Sequence, residues 1–142
     1  FGNPYGDEWN SDIVIEWTKK LADLGIQIIA LSDTIGVSNK DNISSLFSNV
    51  IPEFTNVEIG AHLHTTPDTW LEKVDAAYQN GCRRFDGAIK GFGGCPMAKD
   101  DLTGNMATEN LIAYFNQKNI TTNLNNTEFD TSLLKALSVF PS

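Results

Sequence analysis

Apolar runs of strand type recur roughly every 30 residues along the chain, with amphipathic helical stretches between them, which is the spacing of βαβ units. The runs are Ile26 to Leu31, Val57 to Leu63 and Cys82 to Phe85. Alternation of this kind means parallel strands joined by right-handed helical crossovers. The first run is continuous and holds three isoleucines, which suits a strand buried on both faces. Helices are predicted over Ile13 to Leu24, Asn42 to Asn49, Thr69 to Gln79, Thr108 to Phe115 and Thr127 to Val139. Helical spacing turns Ile13, Val14, Trp17, Leu21 and Leu24 inward on the first. It does the same for Ile43, Leu46, Phe47 and Val50 on the second, and for Trp70, Leu71, Val74 and Ala77 on the third. Phe129, Leu133, Leu134, Leu137 and Phe140 form the apolar side of the last. Gly25, Pro52 and Asn80-Gly81 supply stops. At 142 residues the chain is one unit and too short for a complete (β/α)8 barrel, which takes about 250 residues.

The polar clusters fall after the strands. Asp33 and Thr34 follow the first run, His62 and His64 end the second, and a loop from Gly87 to about Thr103 follows the third. In parallel α/β sheets and barrels, active sites collect at those carboxyl ends. His62 and His64 are the chain's two histidines. Residues i and i+2 of a strand point the same way, so both rings are within reach of one divalent ion. The alternative is a pair of polar residues ending a strand beside water. Asp33 reads either as an acid–base group or as a helix cap or turn residue. The loop carries glycines at 87, 91, 93 and 94, and a loop of this length is usually functional. Two cysteines, Cys82 and Cys95, are too few for a disulfide scaffold and fit a reducing compartment. They bracket the third strand, roughly 20 Å apart, too far for a bond. Cys82 is assigned to core packing.

Charge narrows the partners. Eighteen acidic against ten basic side chains give a net charge of −8, which argues against nucleic acid or an anionic membrane as the main partner. No run of about 18 apolar residues is present, so no transmembrane helix is expected. A cytoplasmic setting is expected, or the mitochondrial matrix in a eukaryote.

The stretch Gly91-Phe92-Gly93-Gly94-Cys95-Pro96-Met97-Ala98-Lys99, followed by Thr103-Gly104-Asn105, resembles the hydroxymethylglutaryl-CoA lyase family. These are metal-dependent (β/α)8-barrel lyases, related to synthases and aldolases that share an Asp-Thr after one strand, a His-x-His after the next and a Gly-Asn after the last. Here those features are Asp33-Thr34, His62-Leu63-His64 and Gly104-Asn105; the Gly-Gly-Cys-Pro run points to the lyases. The resemblance extends from about Phe1 to Phe115. Phe92 stands where the family usually has Leu and Met97 where it has an aromatic residue. Asp100-Asp101-Leu102 is about one residue longer than usual.

The resemblance implies an α/β fold that is a partial (β/α)8 TIM barrel, with residues 1–142 supplying the last three parallel strands and their helices. Family members begin with a strand carrying an Arg-Asp pair, which has no counterpart here, so the chain is expected to be inactive alone. It is expected to self-associate through open sheet edges or to pair with the rest of a barrel. The implied reaction cleaves 3-hydroxy-3-methylglutaryl-CoA to acetyl-CoA and acetoacetate, a step of leucine breakdown and ketone-body formation, with Mg²⁺ or Mn²⁺. His62, His64 and Asn105 are the implied metal ligands, and Asn105 reads equally as a helix N-cap. Cys95, His62 and Asp33 are the implied catalytic residues, Cys95 alternatively being a small buried side chain. Thr34 and Glu109 are candidate substrate contacts, and Lys90 and Lys99 candidate partners of CoA phosphates. An acyl-CoA-condensing synthase or aldolase of the same barrel is the runner-up. A non-catalytic ligand-binding α/β module is the reading from a different class.

Overall fold

A computed structural model describes residues 1–2, 4–94, 98 and 103–140. Helix α1 (Ser11–Asp23) leads into strand β1 (Ile28–Ser32), followed by α2 (Lys40–Val50) and β2 (Glu58–His62). After one residue, Leu63, comes the short strand β3 (His64–Thr65), then α3 (Trp70–Gln79) and β4 (Arg84–Asp86). The described chain ends with β5 (Gly104–Asn105), α4 (Thr108–Gln117) and α5 (Asn126–Val139). β1, β2 and β4 form one parallel sheet in that order, and β3 pairs with β5 antiparallel. The α/β alternation read from the sequence is thus the architecture. Strand limits differ from expectation by one or two residues, and the β3–β5 pair is an addition to it.

Capping explains where the helices start. Asn10 accepts from the Ile13 amide at the head of α1. Asn39 and Asn42 form a reciprocal box at the head of α2, with Asn39 Oδ1 accepting from Asn42 N at 3.0 Å and Asn42 Oδ1 from Asn39 N at 2.9 Å. Each cap satisfies amides that have no partner inside the helix.

The core lies between the sheet and one layer of helices. Ile29 and Leu31 of β1 and Ile59 and Ala61 of β2 face Ile43, Leu46, Phe47 and Val50 of α2 and Val74 and Ala77 of α3. Truncating Phe47, which is fully buried, would cost roughly 3–5 kcal/mol. α4 is tied to α3 by Tyr114, whose hydroxyl donates to Asp75 Oδ1 at 2.7 Å. That bond holds the Asp75 carboxyl below its usual value, while burial first and the Asp75 bond second push the Tyr114 phenol up.

Four expectations change. β1 is buried on one face, not two: Ile28 is 50% exposed and Ala30 is open, because among the described residues helices cover one side of the sheet. α1 turns a different stripe inward. Thr18 is buried and Val14 and Ile15 pack on the core, while Trp17 is 59% and Leu24 79% exposed. The apolar spacing of Trp17, Leu21 and Leu24 is real but lies on the open side. On α3, Lys73 is buried and Leu71 is exposed. α5 leaves Leu134, Leu137 and Phe140 exposed, with Ala136 its buried residue.

An exposed apolar stripe on α1, and outer edges of β1 and β4 that carry no further strand among the described residues, favour association. The 142-residue chain is therefore expected to elute earlier from size exclusion as its concentration rises. Trp17→Glu with Leu24→Lys should move it toward the monomer; a parent that is monomeric at every concentration would contradict this.

Candidate functional site

Register gathers the polar groups at one pole of the sheet. Ser32 pairs with His62 and His62 with Asp86, all at the carboxyl ends of parallel strands. Partners in a parallel ladder project to the same face, so these three side chains form a row on the face without helices. His62 Nδ1 lies 3.5 Å from Asp86 Oδ2, with both side chains about 40% exposed. Leu63, on the opposite face, is buried in the core.

His64 follows in β3 and is 7% exposed. Its ring lies 5.4 Å from that of His62, centroid to centroid, at 71°. The i, i+2 geometry expected from the sequence therefore holds across the break at Leu63. His64 Nδ1 is 2.7 Å from the backbone oxygen of Asp33. A carbonyl only accepts, so Nδ1 carries the proton, and in the neutral ring Nε2 keeps the lone pair.

Asn105 stands directly opposite His64 in the β3–β5 pair, which puts their side chains on one side. Its Nδ2 donates to the Phe92 carbonyl at 2.8 Å. That bond fixes which end of the amide is nitrogen and turns the carbonyl oxygen away from Phe92. Asn105 is not the N-cap of α4, which is Ala107. The strand that carries Asn105 is approached closely by the glycine-rich loop. A Cβ at Gly91, whose φ is +65°, would lie 2.8 Å from the Asn105 backbone oxygen. Gly36, with φ +74°, is equally obligatory, since a Cβ there would meet Thr103 Cγ2 at 2.6 Å. In the described part, then, close packing against this loop requires glycine as much as any freedom to move.

The remaining candidates are placed differently. Asp33 is 0% exposed. Its carboxylate accepts from Ser38 N at 3.2 Å, from Ser38 Oγ, and from Lys73 Nζ at 2.9 Å. A proton exchange with a ligand would have to break that network, so the geometry suits Asp33 to holding its neighbours. Thr34 is half-buried in the turn after it. Glu109, in the first turn of α4, accepts from the Lys90 amide at 3.0 Å and so braces a residue at φ 60°. Lys90 lines an open cleft of about 370 Å³ beside Asn105, with Thr65, Pro67, Phe92 and Thr103. Cys95, Lys99 and the distance between Cys95 and Cys82 lie outside the described residues. Cys82 is buried as expected, its Sγ 3.1 Å from Arg84 O, and burial pushes its thiol up to about 12.

Two residues of the site were not singled out from the sequence. Asp86 lies just past the run from Cys82 to Phe85, and aligning the strand ends pairs it with His62. Lys73 shares the inward face of α3 with Val74 and Ala77, and a lysine at such a position is the signal of a buried partner.

Which group could this set hold? Two imidazoles and an amide oxygen are nitrogen and oxygen donors suited to a divalent ion. The ring whose tautomer is fixed, His64, presents Nε2 ready to coordinate, as metal-bound histidines do when a carbonyl or carboxylate holds the other nitrogen. Among the described residues no three or more His, Cys, Asp and Glu side chains group as a metal site, so the set rests on the amide of Asn105.

Residues 1–134 match the family model described as HMGL-like. Hydroxymethylglutaryl-CoA lyase YngG of Bacillus subtilis is 35% identical over 124 residues, 87% of this chain and 41% of that protein. (R)-citramalyl-CoA lyase of Chloroflexus aurantiacus is 32% identical over 124 residues, 87% of this chain and 39% of that protein. The crystal structure of the Bacillus subtilis HMG-CoA lyase superposes with a TM-score of 0.88 at 31% identity, covering 100% of this chain and 49% of that one. The chain spans less than half the length of the curated relatives it matches.

Burial of Cys82 generates a chemical test. A folded thiol with a raised value favours its neutral form, so that stability is intact below the usual value near 9 and is lost as pH rises toward 12. In a Cys95→Ser variant, Cys82 should not react with Ellman's reagent at pH 8 until denaturant is added. Rapid reaction in the native state would contradict its placement.

Proposed function

Because the chain belongs to the HMGL-like family, we propose that it supplies strands six to eight of a metal-dependent (β/α)8 lyase that cleaves 3-hydroxy-3-methylglutaryl-CoA to acetyl-CoA and acetoacetate. One observation carries the reading. His64, its Nδ1 held by a backbone carbonyl, lies ring to ring with His62 and directly opposite Asn105. His64 Nε2 and Asn105 Oδ1 are assigned to the ion, Mg²⁺ or Mn²⁺, with His62 beside them. When bound, that ion would polarise the substrate's hydroxyl and hold its oxygens in place.

The chain's own residues do the rest. His62 is the more exposed imidazole and has the Asp86 carboxylate beside Nδ1. Its Nε2 lone pair serves one role at a time, so in the reaction it takes the proton of the C3 hydroxyl. As that proton leaves, the hydroxyl carbon becomes the ketone of acetoacetate, the C2–C3 bond breaks, and its electrons pass to the acetyl-CoA enolate. Cys95 is assigned to returning a proton to that enolate. Asp33 holds Ser38 and Lys73, and Glu109 braces the Lys90 turn. Thr34 and Lys90 are left as contacts for the substrate and for CoA. Both named relatives are CoA-thioester lyases, and the Cys95-Pro96 motif favours a lyase over a condensing synthase or aldolase. Among the described residues no helix is long and apolar enough to cross a membrane, and a cytoplasmic or matrix setting goes with this reading.

The full-length protein should release acetoacetate from the thioester in the presence of Mg²⁺ or Mn²⁺, and the 142-residue chain alone should not, for want of the family's Arg-Asp pair. His64→Ala should weaken Mn²⁺ binding by more than the roughly 10–100-fold that loss of an outer-shell partner costs. His62→Gln should lower kcat by about 10²–10⁴-fold with a smaller effect on Mn²⁺ affinity. Full turnover by the His64→Ala protein without added metal would refute the assignment.

A further inference from the structure

Three chain segments that end the strands meet on one buried ammonium. Lys73 is 1% exposed and sits on α3 among Val74, Ala76 and Ala77. Its Nζ donates to Asp33 Oδ2 at 2.9 Å, to the Gly36 carbonyl at 3.0 Å and to the His64 carbonyl at 2.9 Å. An ammonium has three hydrogens, and all three are used. The contacts close a ring, because His64 Nδ1 donates in turn to the backbone oxygen of Asp33. Lys73 thus grips the residue that carries the imidazole and the residue whose carbonyl fixes that imidazole's tautomer.

A buried lysine–aspartate pair is a poor source of stability, since both charges give up their hydration. A methionine of similar volume would fill the same space without that loss. What the ammonium adds is direction. It holds β3 at a set distance from the turn after β1, which is the distance the His64–Asp33 bond requires.

We propose that Lys73 is a positioning residue: it locks the tautomer and aim of His64 and thereby raises the affinity of the site for a divalent ion. The part concerning the ion rests on the metal reading above; the part concerning the tautomer does not. Lys73 touches no reacting atom, and its action passes through His64.

The test compares the full-length protein with Lys73→Met and with Asp33→Asn/Lys73→Met, the second removing both buried charges so that none is left unpaired. Histidine-selective ¹⁵N NMR on metal-free protein reads the His64 tautomer, and Mn²⁺ titration followed by electron paramagnetic resonance reads affinity. The parent should show a single Nδ1–H form. The double variant, folded by circular dichroism, should show mixed tautomers and a Kd for Mn²⁺ raised at least about 10-fold. A folded double variant with the parent's tautomer and affinity overturns the proposal. So does a double variant that cannot fold, which would make the pair a requirement of the fold alone. If the parent binds no Mn²⁺ at all, the metal reading fails by itself and the tautomer comparison still decides the role of Lys73.

Discussion

In a parallel sheet, residues joined by the ladder project to the same face, and the ladder between β1, β2 and β4 therefore decides where the chain's chemistry ends up. Ser32, His62 and Asp86 stand in one row because their strands are in register. A slip of one residue would turn His62 into the helix layer and Leu63 out of it. What prevents the slip is the helix-side packing of Ile29, Leu31, Ile59 and Ala61 against α2 and α3. The site is thus held in place from behind, by apolar groups that never touch it.

That dependence explains what could be read from the sequence and what could not. Ile43, Leu46, Phe47 and Val50 were legible because α2 has one neighbour to face and its spacing names the side. The same reasoning misplaced α1, where two apolar stripes compete and spacing cannot say which one meets the sheet. His62 and His64 were legible as a pair since i, i+2 is a local property, and it survived the break between β2 and β3. Lys73 was missed because its partners lie 9, 37 and 40 residues away in the chain, in the His64, Gly36 and Asp33 segments. The β3–β5 pair was missed for a similar reason: two residues on each side carry no periodicity. The place of Asp33 at a strand end allows either an acid–base group or a cap or turn residue, and its burial is a property of α3 arriving above it.

The exposed side of the sheet bears on the site as well. Ile28 and Ala30 are open where β1 faces away from the helices, and His62 and Asp86 share that face. Water reaches the His62–Asp86 contact there, while His64 one step further along is already enclosed. Anything that covers this face also dries His62, which would strengthen every charge interaction it makes. In the reading proposed above, the rest of a barrel would cover this face and so change the surroundings of His62 without touching His64.

The two imidazoles, adjacent as they are, are not equivalent. His64 is held by the backbone carbonyl of Asp33, which accepts from its Nδ1. That contact fixes the ring's direction and leaves Nε2 without the proton, which suits the ligand role proposed above. His62 has a carboxylate beside Nδ1, that of Asp86 at 3.5 Å. A carboxylate in that place suits the proton-moving role proposed for His62 above. The division of labour follows from what stands behind each ring. A backbone oxygen stands behind one, placed by a buried ion pair; a side chain stands behind the other, placed by strand register.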